Sequence, residues 1–549
     1  MKILIVAPKA VDNFEYYNVN EAATYNYTLP MGLLYISSAL KSRFSGVDFL
    51  NLNHLHGTMD LLIAQATADK EYDLIMTGGI SSEFHSVKAV VDASRKHSPD
   101  SKVVLGGGLI TSEPELMIRE LGADYIVIGE GEVTVVQLVD ALEQGHDLDQ
   151  VDGIGFVCDD RYVQTNERMA IMDLDSLAFP DFDGIGFQEY LDHSTYIHYE
   201  VFPEPIQRSY PLVSSRSCPF KCTFCFHPLG SKYRQRSMSN LRIELEENIV
   251  RYGINVVNIY DELLGYKKER VYEICEMFND LRRKVGHTIY WSCQLRVNFI
   301  EDDMLASMSA SGCYAISYGF ESYSSQVLKS MKKGIKPEEI DRAVELTRKN
   351  RITVQGNLIF GDPEENAESI KESLDFYKNN YRLHLGLGFI QPYPGTALYA
   401  YCLENGLIKD RMQFIKYKMR TRINMSRHLS DVEFDLLFVD IDMILWKYCS
   451  FSYPLNIEPE GQMFNITVAC PECGEVIKYK KRHVSSVNRI KQTVHCNYCR
   501  ARFKILSRMQ RVLDLTAYYV LSSMPAHIRL GFFNIFKYFK YNIFKVLPK

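Results

Sequence analysis

Short apolar runs that close in polar or glycine-rich turns dominate the first 150 residues. These runs do not alternate apolar with polar positions, which is typical of strands buried on both faces of a parallel sheet. Between the first two runs lies TLPMGLLYISSALKSR, whose leucines and isoleucine have helical spacing after a threonine and an early proline. The runs are KILIVAP, VDFLNLN, YDLIMTGG, SKVVLGGG and ADYIVIGEGE. The pattern predicts an open, doubly wound α/β domain at residues 1–152, whose ligands bind at the carboxyl ends of the strands.

Glycines cluster at the predicted strand ends of this domain. They are Gly78, Gly79, Gly106, Gly107, Gly108, Gly129 and Gly131. Because glycine has no Cβ, the backbone there can approach a ligand closely. Tight turns without any ligand explain the same residues, and the pattern leaves both interpretations open.

Strand and helix patterns return further along the chain. Residues 153–205 are predicted to be a connector, with one hairpin and proline-broken loops. Residues 206–425 contain six apolar runs: YPLVSSR, INVVNIYDE, TIYWSCQLR, YAISYGFES, TVQGNLIFGDP and LGLGFIQPYPG. Six such strands predict a partial or complete parallel (β/α) barrel. Residues 426–510 hold a cysteine cluster, and residues 511–549 form an aromatic and basic tail.

The composition and the apolar runs indicate the cellular compartment in which the protein is expected. The 549 residues carry a formal net charge of −6, which gives no general attraction to nucleic acid. No apolar run has the length of a membrane span, and the first residues lack the apolar run of a signal peptide. We therefore expect a cytoplasmic protein. In its reducing environment, the clustered members of the thirteen cysteines favour metal binding over disulfides.

Three cysteines lie together in SRSCPFKCTFCFHP, directly after a predicted strand. Cys218, Cys222 and Cys225 provide three thiolates, which suit iron–sulfur clusters and zinc. On a four-iron cluster they would leave one iron open to a small molecule, and the neighbouring phenylalanines would shield the cluster. A zinc site that borrows a distant fourth ligand, with His227 as the nearest candidate, is the alternative.

The spacing C-x3-C-x2-C, with the aromatic Phe224 before the last cysteine, resembles the radical S-adenosylmethionine (radical SAM) enzymes. The resemblance implies that the three cysteines are catalytic and hold a 4Fe-4S cluster whose open iron binds S-adenosylmethionine. Reductive cleavage of this cosubstrate would release a 5′-deoxyadenosyl radical. It also implies an electron donor of the flavodoxin or ferredoxin type.

Later strand ends extend the resemblance. Asp261 and Glu262 in NIYDELLG match the position that holds the methionine moiety, although the usual glycine pair is absent. Glu321 in YGFES is implied to make a polar contact with the cosubstrate. Gly356 and Gly361 in GNLIFGDPEE resemble the segment near the adenine, and QPYPGTALY resembles the sixth-strand segment.

The first domain resembles the cobalamin-binding domain of one branch of this family. The residues implied to contact cobalamin are Ser81, Ser82, Gly107, Gly108, Gly129 and Glu130. His54 and His56 lack the D-x-H-x-x-G motif, so no histidine is expected to bind the cobalt. The resemblance implies methylation of an unactivated carbon through methylcobalamin. Ring formation, rearrangement, or a vestigial first domain are alternatives. A methylthiotransferase is disfavoured because the first cysteine, Cys158, follows this domain.

A second cluster contains Cys470, Cys473, Cys496 and Cys499 in two C-x2-C knuckles. Four thiolates in this pattern predict a zinc-ribbon-like structural site, with an auxiliary iron–sulfur cluster as the alternative. The intervening KYKKRHVSSVNRIK is basic and keeps open a different class, a nucleic-acid-binding module. The net charge makes nucleic acid the less favoured partner.

The tail RLGFFNIFKYFKYNIFKVLPK combines aromatic residues and lysines without acidic residues. This composition favours an amphipathic helix on a membrane surface, while docking on the protein's own core is the alternative. The first interpretation predicts a peripheral contact with the inner membrane surface. The substrate is expected to be a small molecule or a lipid-like molecule.

Overall fold

The computed structural model describes residues 1–10, 27–193, 207–419, 421–461, 463–482 and 491–534. They form two compact units, each assembled from separate segments of the chain. The first unit contains Met1–Tyr196, Ser215–Glu244 and Gln391–Arg422, and the second contains Ile197–Ser214, Leu245–Ile390 and Ile423–Lys549.

The first unit is built on a seven-stranded sheet with the order β2-β1-β3-β4-β5-β6-β7. Its elements are β1 (Ile3–Ala7), α1 (Met31–Lys41), β2 (Val47–Asn51), α2 (Met59–Thr67), β3 (Leu74–Gly78), α3 (Phe84–His97), β4 (Lys102–Gly106), α4 (Gly108–Ser112), α5 (Pro114–Leu121), β5 (Tyr125–Val127), α6 (Glu132–Gln144), β6 (Ile154–Cys158), β7 (Arg161–Gln164) and α7 (Phe187–His193). Strands β1 to β5 are parallel, and the hairpin predicted in the connector forms the antiparallel β6 and β7.

Both faces of this sheet are buried, which explains the apolar runs of the sequence. Ile3 and Ile5 of β1 pack into one core together with Leu138 of α6. Leu4 and Val6 pack into a second core with residues of α2 and α3. Successive side chains of one strand thus enter opposite layers, and the predicted doubly wound α/β fold is confirmed.

The next segment supplies a six-stranded parallel sheet to the second unit, in the order β15-β14-β13-β12-β11-β8. Its elements are β8 (Ser209–Leu212), β9 (Ser215–Arg216), β10 (Arg234–Gln235), α8 (Met238–Tyr252), β11 (Val256–Ile259), α9 (Lys268–Val285), β12 (Tyr290–Leu295), α10 (Asp302–Ala310), β13 (Cys313–Glu321), α11 (Ser325–Ser330), α12 (Pro337–Lys349), β14 (Thr353–Phe360), α13 (Ala367–Asn379) and β15 (His384–Phe389). Each strand of this sheet is parallel to the next strand of the same sheet along the chain and pairs with it, as a partial (β/α) barrel requires. The short β9 and β10 pair with each other in the first unit.

The last segment begins with α14 (Ala397–Glu404) and α15 (Arg411–Gln413), which belong to the first unit. The second unit then receives α16 (Asp431–Lys447), β16 (Phe451–Ser452), β17 (Pro454–Glu460), β18 (Met463–Ala469), β19 (Val476–Arg482), β20 (Lys491–His495), β21 (Arg502–Leu506) and α17 (Arg508–Ser522). The strands form two three-stranded sheets, β16-β21-β20 and β17-β18-β19. Their core contains Ile466, Val494 and Ile505.

The beginning of the tail packs on the protein itself. Phe533 is fully buried among Val439, Met443 and Leu521, and its ring stacks on Trp446 with centroids 5.7 Å apart. Phe536, Phe539, Ile543, Phe544 and Leu547, with the neighbouring lysines, lie outside the described residues. In the described part of the chain, no helix has the length and apolar composition needed to cross a membrane.

One acidic side chain is buried just after β14. The Glu365 carboxylate accepts hydrogen bonds from the Ser369 hydroxyl at 2.7 Å and from the Gly361 backbone N–H at 3.3 Å. Burial raises the pKa of Glu365 from 4.5 to about 7, against the effect of these two donors. Glu364, by contrast, is solvated and bonds Arg427 at 2.9 Å.

We predict that this buried carboxyl makes stability fall as the pH rises. The folded-state pKa of Glu365 lies above its ordinary value, so its contribution is present below about pH 4.5 and is lost through about pH 7. Between about pH 5 and pH 8, the wild type should lose about 2–3 kcal/mol relative to Glu365→Gln. Urea unfolding across this range measures the difference. The neighbouring Glu364→Gln variant is the control: it keeps Glu365 and should lose stability over this range as the wild type does. A parallel pH profile for Glu365→Gln and wild type would contradict the assignment.

Candidate functional site

The three-cysteine loop lies in the first unit, between β9 and β10. Cys218 is half-buried, Cys222 is buried and Cys225 is exposed. The residue before Cys218, Ser217, has a left-handed backbone with φ of +69°, which is uncommon for a residue with a side chain. Its hydroxyl donates to the Leu229 carbonyl at 3.0 Å. This bond closes the loop across twelve residues, so its two ends are joined.

A buried ion network holds the base of this loop on the α/β domain. Arg216 donates to Glu130 at 2.9 Å and to Glu132 at 2.5 Å. Arg234 donates to the other Glu130 oxygen at 2.6 Å. The four side chains are 9% exposed or less, and their charges sum to zero. Buried charges are tolerated where each is paired and hydrogen-bonded, as here.

Arg234 also binds the loop directly. Its guanidinium donates to the Ser217 hydroxyl at 3.0 Å and to the Leu229 carbonyl at 3.2 Å. Arg216 in turn lies over the Tyr35 ring, 5.0 Å from its centroid. Burial opposes the charged form of Arg216, but Glu132 and Glu130 raise its pKa above the ordinary value. Arg216 therefore stays charged in the network.

Sequence reasoning did not identify these two arginines, although Arg216 stands two residues before Cys218. It assigned Glu130 to cobalamin, and the structure places the Glu130 carboxylate in the ion network, where it also accepts from the Ile171 N–H at 2.8 Å. The pairing of Arg216 with Glu130 is not visible in the sequence, because the two residues lie 86 positions apart.

The glycine turns approach one another at the ends of adjacent strands. A Cβ at Gly78 would lie 2.4 Å from the Gly106 oxygen, and one at Gly107 would lie 2.7 Å from the Gly79 oxygen. Gly107 also has a φ of +92°. Glycine is therefore required there by the backbone contact itself, whether or not a ligand is bound.

The other residues predicted to contact cobalamin lie around these turns. Ser81 is buried and Ser82 is partly buried, at the start of the segment that leads into α3. Gly129 has a φ of +78°, and its N–H donates to the Thr111 hydroxyl at 3.0 Å. Gly108 begins α4. All lie at the carboxyl ends of the parallel strands, where ligands of doubly wound sheets bind.

Phe226 joins the cysteine loop to two glycine segments of the first unit. A Cβ at Gly395, in the PYPG turn, would lie 2.3 Å from the Phe226 ring, and one at Gly108 would lie 3.9 Å from it. The Leu398 N–H donates to the Thr223 carbonyl of the loop at 3.1 Å. The ring thus requires glycine at position 395, a role that the sequence did not reveal.

His54 is engaged by two side chains of the first unit. Its ring bonds the Tyr27 hydroxyl at 2.7 Å and lies 3.5 Å from the Glu189 carboxylate. Burial lowers the pKa of His54. His54 is partly buried, while His56 is exposed.

In the second unit, the residues predicted to bind the cosubstrate lie at the carboxyl ends of the barrel strands. Asp261 is buried and accepts from both the N–H and the hydroxyl of Ser214, the former at 2.7 Å. Glu262 is exposed. Glu321 bonds Lys333 at 2.8 Å and has a left-handed backbone with φ of +61°, beside an irregularity in the pairing of β13 with β14. Backbone strain of this kind persists where the surrounding structure enforces it, often at functional sites.

The two glycines after this position have different explanations. A Cβ at Gly356 would lie 2.3 Å from the Phe320 ring, so packing excludes a side chain there. Gly361 has a φ of +109°, which disfavours any other residue. Neither observation assigns an adenine contact, which stays a prediction.

The second cysteine cluster has the geometry of a single metal ion. The sulfur atoms of Cys470 and Cys499 are 3.6 Å apart, and those of Cys473 and Cys496 are 3.7 Å apart. For Zn–S bonds of about 2.3 Å in a tetrahedron, sulfur atoms lie about 3.8 Å apart. The four thiolates therefore fit zinc, in a structural site with no open position.

The three-cysteine loop differs in this respect. Within the described ranges, the Cys470 cluster is the one group of three or more His, Cys, Asp or Glu ligand atoms that all lie within 4.8 Å of one another. Three thiolates from one short loop, one buried, one half-buried and one exposed, are suitable donors for an iron–sulfur cluster.

The four-cysteine module, which comprises the β16–β21 strands and the Cys470 cluster, contacts the amino-terminal ends of the barrel strands. The hydroxyl of Thr353, the first residue of β14, donates to the Arg500 carbonyl at 2.7 Å. The Arg500 guanidinium lies 5.1 Å from the ring centroid of Tyr290, the first residue of β12. The buried His495 packs edge-on against Tyr314 of β13 at 5.9 Å. The second C-x2-C knuckle of the module therefore packs against the amino-terminal ends of the barrel strands, on the side opposite their carboxyl ends.

Comparisons with known proteins agree with this architecture. Residues 212–377 match the family model of the Radical SAM superfamily, and residues 17–139 match that of the B12 binding domain. The chain therefore carries a radical SAM domain preceded by a cobalamin-binding domain, and the resemblance seen in the sequence is confirmed. The radical SAM domain implies a 4Fe-4S cluster with S-adenosylmethionine, and the B12 binding domain implies cobalamin.

Individual proteins give a narrower comparison. The chain is 27% identical over 413 residues to an uncharacterised methyltransferase of Pyrococcus horikoshii, covering 74% of this chain and 85% of that protein. It is 27% identical over 359 residues to the bacteriochlorophyllide d C-8(2)-methyltransferase of Chlorobaculum tepidum, covering 62% and 70%. Its fold is similar to that of the radical S-adenosylmethionine methyltransferase TsrM from Kitasatospora setae, solved with cobalamin and a [4Fe-4S] cluster. The TM-score is 0.60 at 17% identity, over 74% of this chain and 75% of that one.

We predict that Gly395→Ala disturbs the cysteine loop, because its methyl group would overlap the Phe226 ring. The expected loss of stability is about 1–3 kcal/mol, as for other overpacking substitutions, and urea unfolding measures it. Gly406→Ala is the matched control, since Gly406 also has a positive φ, +67°, but faces open space. In a Phe226→Ala background, Gly395→Ala should cost less, because the ring that the methyl group would overlap is gone. Equal effects at the two glycines would show that backbone strain alone acts there.

The geometry of the four clustered thiolates predicts about one zinc per chain, which Cys496→Ser should lose. Because the metal ties the module to the end of the barrel sheet, the loss should destabilise the second unit by about 4 kcal/mol or more. Metal analysis and thermal unfolding measure both effects. Cys158→Ser, at an exposed cysteine outside the cluster, should keep the zinc. Iron in place of zinc at this site would favour the auxiliary cluster instead.

Proposed function

We propose that this protein is a cobalamin-dependent radical SAM enzyme that methylates an unactivated carbon of a small-molecule substrate. The observation that carries the proposal is the convergence of the cysteine loop, the glycine turn at Gly108 and the PYPG turn on one ring, that of Phe226. The segment for the cluster and a turn for cobalamin then share one packed core. Relatives named as methyltransferases, each 27% identical, support methyl transfer. Two relatives named as cyclases, 25% and 24% identical, make ring formation the second candidate.

Cys218, Cys222 and Cys225 would hold the cluster, with Phe224 beside it, and the turns at Ser81–Ser82, Gly107–Gly108 and Gly129 would hold cobalamin. When bound, these groups and S-adenosylmethionine supply a hydrogen-abstracting radical and a transferable methyl group. The chain binds them, orients them and excludes water. Closely packed glycine backbones suit this role, because they leave room for a large planar cofactor.

Asp261, Glu262 and Glu321 would act on the cosubstrate from the carboxyl ends of the barrel strands. A carboxylate there can accept from an ammonium group. Glu321 is the best placed of the three, since its strained backbone and its bond to Lys333 fix its orientation. Asp261 is committed to Ser214, so we assign it mainly to shaping the strand end.

Two partners belong to the same proposal. A flavodoxin or ferredoxin would deliver the electron that reductive cleavage needs. Contact of residues 511–549 with a membrane surface stays a prediction. The burial of Phe533 on the protein's own core reduces the apolar surface available for it, while Phe532, 49% exposed, remains outside.

The first test is an anaerobic ultraviolet–visible spectrum of the protein reconstituted with iron, sulfide and cobalamin, followed by desalting and metal analysis. We expect retained cobalamin and about four irons, plus about one zinc. Cys222→Ala should abolish reductive cleavage of S-adenosylmethionine, whereas Cys449→Ala, outside both clusters, should not. Cleavage by Cys222→Ala would refute the cluster assignment. Iron without cobalamin would indicate a radical enzyme with a vestigial first domain.

A further inference from the structure

We infer that Arg234, with Glu130 as its anchor, is a positioning residue for the three-cysteine loop, and that the cobalamin-binding domain thereby sets the geometry of the cluster site. Arg234 acts on Ser217 and Leu229, the two residues that bracket Cys218, Cys222 and Cys225. The inference rests on the proposed function only in identifying what the cysteines bind.

The guanidinium of Arg234 connects two sets of hydrogen-bond partners. One nitrogen of Arg234 donates to Glu130 at 2.6 Å and to the Ile171 carbonyl at 2.8 Å. The second terminal nitrogen donates to Ser217 and Leu229, and Nε donates to the Lys232 carbonyl at 3.1 Å. Because a guanidinium is planar and rigid, fixing one side fixes the direction of the other. Glu130 therefore determines where the ends of the loop are held.

The backbone of Ser217 is the second feature that links Arg234 to the loop. Its left-handed conformation carries a steric cost that a serine adopts only when its surroundings enforce it. Arg234 donates to the Ser217 hydroxyl, and this hydroxyl donates to Leu229, so the strained residue is held on both sides. Ser217 directly precedes Cys218, so its backbone sets the direction in which the first thiolate leaves the strand.

The third feature is the balance of charge among the four side chains of the network. Glu130 and Glu132 face Arg216 and Arg234, so removing one partner leaves an uncompensated buried charge. Removing Glu130 and Arg234 together leaves the neutral pair of Arg216 and Glu132. This allows stability to be separated from positioning, because the double variant restores the charge balance without restoring the clamp on Ser217.

The experiment compares Arg234→Gln, Glu130→Gln, the double variant and Ser217→Ala with the wild type. Two readouts report on the loop. The alkylation rate of Cys222 in cluster-free protein, followed by peptide mass spectrometry, needs no cluster. The electron paramagnetic resonance spectrum and midpoint potential of the reconstituted cluster report on its geometry. Urea unfolding reports on stability.

We expect Arg234→Gln to raise the alkylation rate of the buried Cys222 at least about tenfold and to shift or broaden the resonance spectrum. The double variant should regain stability but keep these changes, and Ser217→Ala should show smaller changes in the same direction. Arg95→Gln is the matched control, since Arg95 also bonds a carboxylate, Asp124, and a backbone carbonyl, Gly122. It should leave both readouts unchanged.

Wild-type alkylation and spectra in Arg234→Gln would overturn the inference. So would full recovery of both readouts in the double variant, because the network would then act through stability alone. If the wild type binds no iron, the proposed function fails, but the alkylation rates still decide whether Arg234 positions the loop.

Discussion

Four buried charges connect the chemistry of this protein to its scaffold. Glu130 and Glu132 follow the last parallel strand of the α/β domain, and Arg216 and Arg234 lie on the two short strands that begin and end the cysteine loop. Taking such charges out of water is costly, and removing one partner of a buried pair typically costs about 3–5 kcal/mol. The network is therefore tolerated where each charge keeps a partner of opposite sign. A hydrophobic contact of the same area has no preferred direction and would let the loop shift along the domain. Paired guanidinium and carboxylate groups instead fix both the distance and the orientation of the loop.

The same unit explains why glycine recurs at so many of its strand ends. Gly78 and Gly107 are required because adjacent turns meet backbone to backbone, and Gly395 is required by the Phe226 ring. These are packing reasons, and they hold whether or not a ligand is bound. A large planar cofactor needs backbone rather than side chains along its edge, and a domain whose turns are already packed through glycine provides that edge.

The two ends of the barrel strands carry different groups of residues. Its carboxyl ends carry Asp261, the strained Glu321 and Gly361, while the four-cysteine module contacts the amino-terminal ends through Thr353, Tyr290 and Tyr314. The sulfur spacing of this module fits one tetrahedral ion. A metal that closes one end of a sheet stabilises the strands without occupying the end where the chemistry is expected.

The sequence alone predicted both α/β architectures and pointed to the cysteines that are proposed to bind metal. Apolar runs without alternation indicate strands covered on both faces, and thiolates at fixed short spacings leave few chemical roles. It did not determine the role of Glu130, which the pattern assigned to cobalamin and the structure places against two arginines. Nor did it show Arg234 holding Ser217, Phe226 against Gly395, or Arg500 on Tyr290. Each of these contacts joins residues that are separated in the chain, and their energy depends on burial and direction. Neither quantity exists until the tertiary structure brings the partners together.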